Sequence, residues 1–205
     1  MYVMAVITVI IIVAYFLWLL SLRKKDINKV EYMLEVEKSL FDAHKHTENV
    51  DNTLGKVADY MKAETAFFTK VKNGIIDEVY CWSNKENFDI NAAENRPVKV
   101  VIPGFNGDGT SMKFGKKLYN LRDCGLPYDY YIDSYIVTSV YDVKKRFVGV
   151  LGVVNMDKVW KNADYIENVA GTFSLAVNNI SSYKSLREMG IIDSLTGLLN
   201  RNCFE

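Results

Sequence analysis

The sequence predicts an α+β fold: an N-terminal transmembrane helix, then a domain with helices packed on an antiparallel sheet, then a long helix. Three observations carry that prediction. The first twenty residues contain no charged side chain; the middle of the chain holds β-branched and aromatic runs bounded by turn residues; and a final stretch places apolar residues at helical spacing.

Residues 1–20 make roughly 30 Å of helix at about 1.5 Å per residue, the thickness of a bilayer's hydrocarbon core. A secretory signal peptide needs a basic stretch before the apolar run and a small-residue cleavage site after it, and neither is present. The apolar run gives way instead to Arg23-Lys24-Lys25, and basic flanks stay on the cytoplasmic side. The expectation is a single-pass protein of the inner (cell) membrane, with the bulk of the chain in the cytoplasm.

Residues 26–41 carry Val30, Met33, Leu34 and Leu40 or Phe41 at near-helical spacing among glutamates and lysines, which predicts a juxtamembrane helix. After the polar stretch "DAHKHTENVDN", Val50, Leu54, Val57 and Met61 fall at i, i+4, i+7 and i+11, so a second helix buries one face. Strands are expected near 65–71 and 75–82, separated by an Asn73-Gly74 step that favours a tight hairpin turn. Residues 84–131, with Pro97, Pro103, Pro127 and "GFNGDG", read as irregular apart from a short strand at "VKVVIP". Two dense apolar runs, "SYIVTSVYD" and "RFVGVLGVVNM", are expected as central antiparallel strands joined by "VKKR". A helix over 162–189 then places Ile166, Phe173 and Ile180 seven residues apart, with Val169, Ala176 and Tyr183 on a second seam, the spacing of a parallel dimer.

Composition sets limits. Lysine plus arginine equals aspartate plus glutamate, 25 of each, so no excess positive charge points to nucleic acid. Cys81, Cys124 and Cys203 are odd in number and widely spaced, unlike a zinc knuckle or disulfide framework. No metal site is expected, and no cofactor. His44 and His46, two apart, read as a solvated linker pair, and Asp108 in "NGDG" as a turn residue, since neither has ligand partners at metal spacing. Trp82, Tyr128, Tyr130 and Tyr131 suit either the walls of a small-molecule pocket or ordinary core packing.

This order of elements resembles a GAF domain, a small-molecule and signalling module whose first and last helices often form a dimer interface; a PAS-like or related sensor fold is the alternative. The resemblance covers residues 49–183, behind a transmembrane helix at 1–22 and a juxtamembrane segment at 23–48. It implies an unidentified small-molecule or protein cue and a parallel homodimer through Ile166, Val169, Phe173, Ala176 and Ile180, with 184–192 as the end of a signalling helix. Some GAF domains bind cyclic nucleotides through N-K followed by F-x-x-x-D-E; this chain has Asn84-Lys85 and Phe88 but Ala92-Ala93 where the acids belong, which disfavours that ligand. Cys124 lacks the adjoining histidine of bilin-binding relatives and reads as a partly buried structural cysteine.

The segment 193–205 begins with Asp193, Ser194, Leu195, Thr196, Gly197, Leu198, Leu199, Asn200 and Arg201, which resembles the D-x-L-T-G-L-x-N-R motif that opens GGDEF domains, the diguanylate cyclase family. Asn202 stands where the family usually has a second arginine. The motif's roles are structural: Asp193 suits a helix cap, Gly197 a conformation other residues resist, and Asn200 with Arg201 hydrogen bonds to backbone or carboxylate. The resemblance implies a parent that joins two GTP molecules into cyclic di-GMP with magnesium. The sequence stops before the family's metal-binding and guanine-reading residues, so the expectation is a fragment truncated inside its catalytic domain, with no catalytic residue of its own. The alternative is a catalytically empty dimerisation subunit that partners with intact signalling proteins.

Overall fold

The computed structural model describes residues 2–41, 48–85, 90–102, 105, 107, 109–157, 163–188, 190 and 198. The chain divides into two compact units, Met1–Glu35 and Val36–Glu205.

The first unit is the greater part of a continuous helix, α1 (Tyr2–Phe41). Its span Val6–Leu40 is long and apolar enough to cross a membrane, with a mean hydropathy of 2.3 in its most apolar window. Ile10, Ile11, Phe16 and Leu17 are each at least 61% exposed, a run of apolar surface that water solvates poorly.

The second unit begins with the last turn of α1, which buries Val36 and Leu40. Its helix α2 (Glu48–Met61) is amphipathic, and the expected stripe of Val50, Leu54, Val57 and Met61 is buried. The hairpin of β1 (Ala63–Lys72) and β2 (Ile75–Ser83) turns at Asn73 and Gly74, whose φ angles of 54° and 77° are those of the mirror-image turn that matches strand twist. After a 3-10 turn (Ile90–Ala93) comes a single helical turn, α3 (Val98–Val101). The chain continues through β3 (Thr110–Asn120), a second 3-10 turn (Leu121–Cys124), β4 (Tyr131–Tyr141), β5 (Phe147–Met156) and α4 (Ala163–Glu188). The sheet runs β2-β1-β5-β4-β3, with every neighbouring pair antiparallel.

Two expectations are corrected within residues 84–131. Val98–Val101 of "VKVVIP" form a helical turn where a strand was expected. The chain meets β2 through Asn95 and Arg96, which exchange main-chain hydrogen bonds with Ile76, and through Pro97, bridged to Ile75; one turn then points Val98 and Val101, three apart, into the core. The stretch also holds a full strand, β3, in place of irregular chain. It is an edge strand whose ladder is broken between Phe114 and Tyr119, and Phe114 is 74% exposed, so it lacks the apolar density of a central strand.

Two layers cover the sheet. On one face α2 and α4 bury Leu54, Val57, Ile166, Val169 and Phe173 against Phe68, Leu151 and Ile136; the Phe68 and Phe173 rings meet at 5.2 Å, and Tyr60 and Tyr165 at 4.1 Å. Each fully buried large side chain of this layer contributes about 1.5–3 kcal/mol. On the other face the 3-10 turns and α3 lay Ile90, Val101, Ile102 and Leu121 over Phe67, Val137, Val150 and Val154. Gly152 lets the central strands close up, because a Cβ there would lie 2.5 Å from Phe67 Cζ and 2.7 Å from Val137 Cγ1.

The residues expected as a dimer seam lie in the first layer. Ile166, Val169, Phe173 and Ala176 are no more than 6% exposed within their own domain, while Ile180 is half-buried. The first four thus pack within this domain's own core.

Candidate functional site

Antiparallel pairing of β1 with β5 sets Ala63 opposite Met156 and Thr65 opposite Val154, which brings Glu64 and Asn155 together at one end of the sheet. Asn155 adopts a left-handed φ of 54°, and its amide carbonyl accepts the Asp133 N–H at 2.8 Å. Tyr130, just before β4, completes the cluster.

The Glu64 carboxylate is the hub. Its Oε2 accepts the Tyr130 hydroxyl at 3.0 Å and Asn155 Nδ2 at 2.9 Å, and its Oε1 pairs with Lys85 Nζ at 3.0 Å. Asn155 Nδ2 also reaches the Tyr130 hydroxyl at 3.1 Å and the Tyr131 carbonyl at 3.0 Å. Thr65 Oγ1 lies 3.4 Å from the Tyr130 hydroxyl and 2.8 Å from Ser83 Oγ. Burial works to raise the Glu64 pKa, but hydrogen bonds from Asn155, Lys85 and Tyr130 outweigh it, and the carboxyl sits below its ordinary value. Burial, reinforced by the neighbouring Glu64 charge, pushes the Tyr130 phenol up, so it remains a proton-bearing donor at neutral pH.

Beneath this cluster, on the face covered by α3, Thr65, Phe67, Ile102, Tyr119, Tyr130 and Ile132 enclose a cavity of about 20 Å³. That is room for about one water molecule, far below the several hundred Å³ of a typical ligand pocket. Tyr130 lines the cavity, and its hydroxyl is engaged by Glu64 and Asn155. Among the described residues, no group of three or more His, Cys, Asp or Glu side chains is placed to hold a metal ion.

The four aromatic residues singled out in the sequence do not converge. Tyr130 joins the cluster and Tyr128 packs on the same core, but Tyr131 is 47% exposed and brings its carbonyl to Asn155. Trp82 lies on the opposite face of the sheet, where its indole covers Gly55 of α2; a Cβ on Gly55 would meet Trp82 Cδ1 at 3.0 Å. Alternation along β2 puts it there, since Trp82 pairs with Ala66 and Tyr80 with Phe68.

Glu64 and Asn155 escape a reading of the sequence, their only signal being a polar residue at the end of an apolar strand. Lys85, noted there beside Asn84, serves instead as the Glu64 ion-pair partner. Cys124 is buried, and burial followed by the charge of Asp123 raises its thiol pKa, so it stays protonated. His44, His46, Phe88, Asp108 and Cys203 lie outside the described residues, as do Asp193, Leu195, Thr196, Gly197, Asn200 and Arg201; Leu198 is described and 70% exposed.

No protein-family model matches the chain, and neither does any curated protein sequence. Solved structures do match its fold. The free methionine-R-sulfoxide reductase from Neisseria meningitidis, in complex with its substrate, aligns over 75% of this chain and 90% of that one, at 15% identity and a TM-score of 0.56. The phycoerythrobilin-bound GAF domain from a cyanobacterial phytochrome aligns over 74% and 97%, at 9% identity and 0.55. The GAF domain from an Acinetobacter phosphoenolpyruvate-protein phosphotransferase aligns over 80% and 97%, at 14% identity and 0.54. At these identities the likeness is one of fold, and the fold is GAF-like.

Proposed function

We propose that the chain is the membrane-anchored sensory part of a signalling protein, in which the GAF-like domain receives a cytoplasmic cue and passes it along α4 to an output that begins at Asp193. The observation that carries this reading is the fold: a GAF-like sheet whose last element, α4, packs its first half into the core and then continues to Glu188. The apolar span Val6–Leu40 supports the anchor, and Arg23, Lys24 and Lys25 after its apolar start orient the remainder toward the cytoplasm. The motif from Asp193 to Arg201 names the output class by resemblance, a diguanylate cyclase that converts GTP to cyclic di-GMP with magnesium. On this reading the chain's own work is detection and coupling, and catalysis belongs to the output domain.

The test is a chimera in which a complete diguanylate cyclase catalytic domain is spliced in frame behind Ile192. A four-residue insertion after Glu188 rotates the downstream chain by about a ninth of a turn and moves it one turn outward. Cyclic di-GMP output from isolated membranes should change severalfold on that insertion. Equal output from the two chimeras would refute coupling through α4.

A further inference from the structure

We infer that the helix-covered face of the sheet, rather than the face beneath Tyr130, carries a ligand site in this domain, and that its ligand is a small single-ring aromatic compound with one hydrogen-bonding substituent. The inference deepens the sensory reading and rests on it for its biological meaning; binding itself does not depend on that reading.

The two faces differ in the space they enclose. Against about 20 Å³ on the Tyr130 side, the helical side holds a cavity of about 160 Å³, walled mainly by Leu40, Val50, Phe68, Phe173, Val177 and Ile180. Apolar cavities of about 150 Å³ stay dry and take up benzene, so this volume fits one six-membered ring with a small substituent. Multi-ring chromophores and nucleotides are too large for it.

The walls select for an aromatic ring. Phe68 lies 5.2 Å from Phe173 in a tilted arrangement and 6.1 Å from Tyr80 in a stacked one, so an inserted ring meets aromatic faces and edges together. One end of the cavity is polar. There Tyr80 donates to Glu78 Oε2 at 2.9 Å, and Lys70 Nζ lies 3.3 Å from Glu78 Oε1 and 3.5 Å from Asp77 Oδ2. Burial, then the charge of Glu78, holds the Tyr80 phenol protonated. A ligand hydroxyl seated at this end finds a carboxylate acceptor and an ammonium donor within one cluster.

The site's position suits a sensor. Leu40 comes from the end of α1, Val50 from the start of α2, and Phe173, Val177 and Ile180 from α4, so the cavity is walled by the helices through which the chain enters and leaves the domain. A bound ring fills the space between these helix segments and biases their packing.

The experiment uses the full chain in phosphatidylcholine nanodiscs with labelled Ile, Leu and Val methyl groups, titrated with p-cresol. Saturable shifts are expected at Leu40, Val50, Val177 and Ile180, and none at Val101, Ile102 or Ile132 on the other face. Ala176→Leu, which fills the cavity, should weaken binding by about tenfold or more, equivalent to about 1.4 kcal/mol. Should that variant misfold, Glu78→Gln keeps the side chain's size and removes the carboxylate acceptor, and it should weaken p-cresol while leaving toluene unchanged. Saturable shifts at Ile132 and Val101 instead, or linear shifts equal in wild type and variants, as bilayer partitioning produces, would overturn the site. So would Ile180 shifts that track protein concentration without p-cresol, since a second copy would then occupy the cavity. Loss of binding with an insertion-sensitive chimera overturns the site alone; binding with an insensitive chimera overturns the sensory reading alone.

Discussion

Asp51, in the first turns of α2, accepts the main-chain N–H of Cys81 on β2 at 3.1 Å. Since β2 is an edge of the sheet, this contact covers a donor that would otherwise offer itself to another strand. Burial raises the Asp51 pKa and the Cys81 hydrogen bond only partly offsets it, so the carboxylate is held here at some cost in desolvation.

Asp51→Ala removes that acceptor and should cost about 1–3 kcal/mol in urea unfolding, with faster hydrogen exchange at the Cys81 amide. Asp51→Asn retains an acceptor oxygen and should cost less. Equal losses in the two variants would mean that the contact matters only as packing.

Glu64 sets an acid limit on stability. Its folded pKa is depressed below 4.5, so its contribution is fully present above the unfolded value and is lost as pH falls through the folded one. Unfolding midpoints measured from pH 6 down to pH 2.5 should fall less steeply in Glu64→Gln than in wild type. Tyr130→Phe, which removes one of the donors that depress the pKa, should move the acid limb the same way by a smaller amount.

Two glycines predict opposite signs. Gly152→Ala places a methyl against Phe67 and Val137 and should destabilise by about 1–3 kcal/mol. Gly171, inside α4, has nothing within 4 Å of an added Cβ, so Gly171→Ala should stabilise by about 0.5–1 kcal/mol through helix propensity. Chemical denaturation of both variants checks the pair.

Phe173→Ala should cost about 3–5 kcal/mol, because the ring is 1% exposed and rests on Phe68. Phe173→Glu should unfold the domain, with loss of near-ultraviolet dichroism. A folded Phe173→Glu protein whose only change is a lower sedimentation mass would restore the intermolecular seam.

A reporter fused behind Glu205 should be active only in its cytoplasmic form, and replacing Arg23, Lys24 and Lys25 together with glutamate should yield mixed orientation. Periplasmic activity of the unaltered fusion would reverse the topology.

The central strands are legible in the sequence because strands buried on both faces read as nearly unbroken apolar runs, closed by signals such as Asn73-Gly74. Strand β3 is not, since its edge position tolerates lysine, glycine and an exposed Phe114. Val98 to Val101 mislead because β-branched residues suggest a strand, whereas Val98 and Val101 need only one helical turn after Pro97 to reach the core. The α4 stripe is legible but its partner is not: over two heptads a 3.5-residue period and a 3.6-residue period nearly coincide, and a sheet face serves as well as a second helix. Glu64 and Asn155 meet only through strand register, which no local pattern encodes, and Trp82 is separated from Tyr130 by the alternation of side chains across the sheet.

The sheet's centre is also its latest joint. Thr69 of β1 and Val150 of β5, whose strands lie side by side, are 81 positions apart in the chain. During synthesis at about 5–20 residues per second, the β1–β2 hairpin, complete at Ser83, waits roughly 4–15 seconds before its neighbour β5, ending at Met156, leaves the ribosome. Through that interval the inner edge of β1, with Phe67 and Phe68 on its two faces, is an open template for wrong pairing. The β4–β5 pair forms quickly from contiguous residues, and its docking onto β1 closes a long loop, so the β1–β5 ladder is where folding should be slowest and a chaperone most useful.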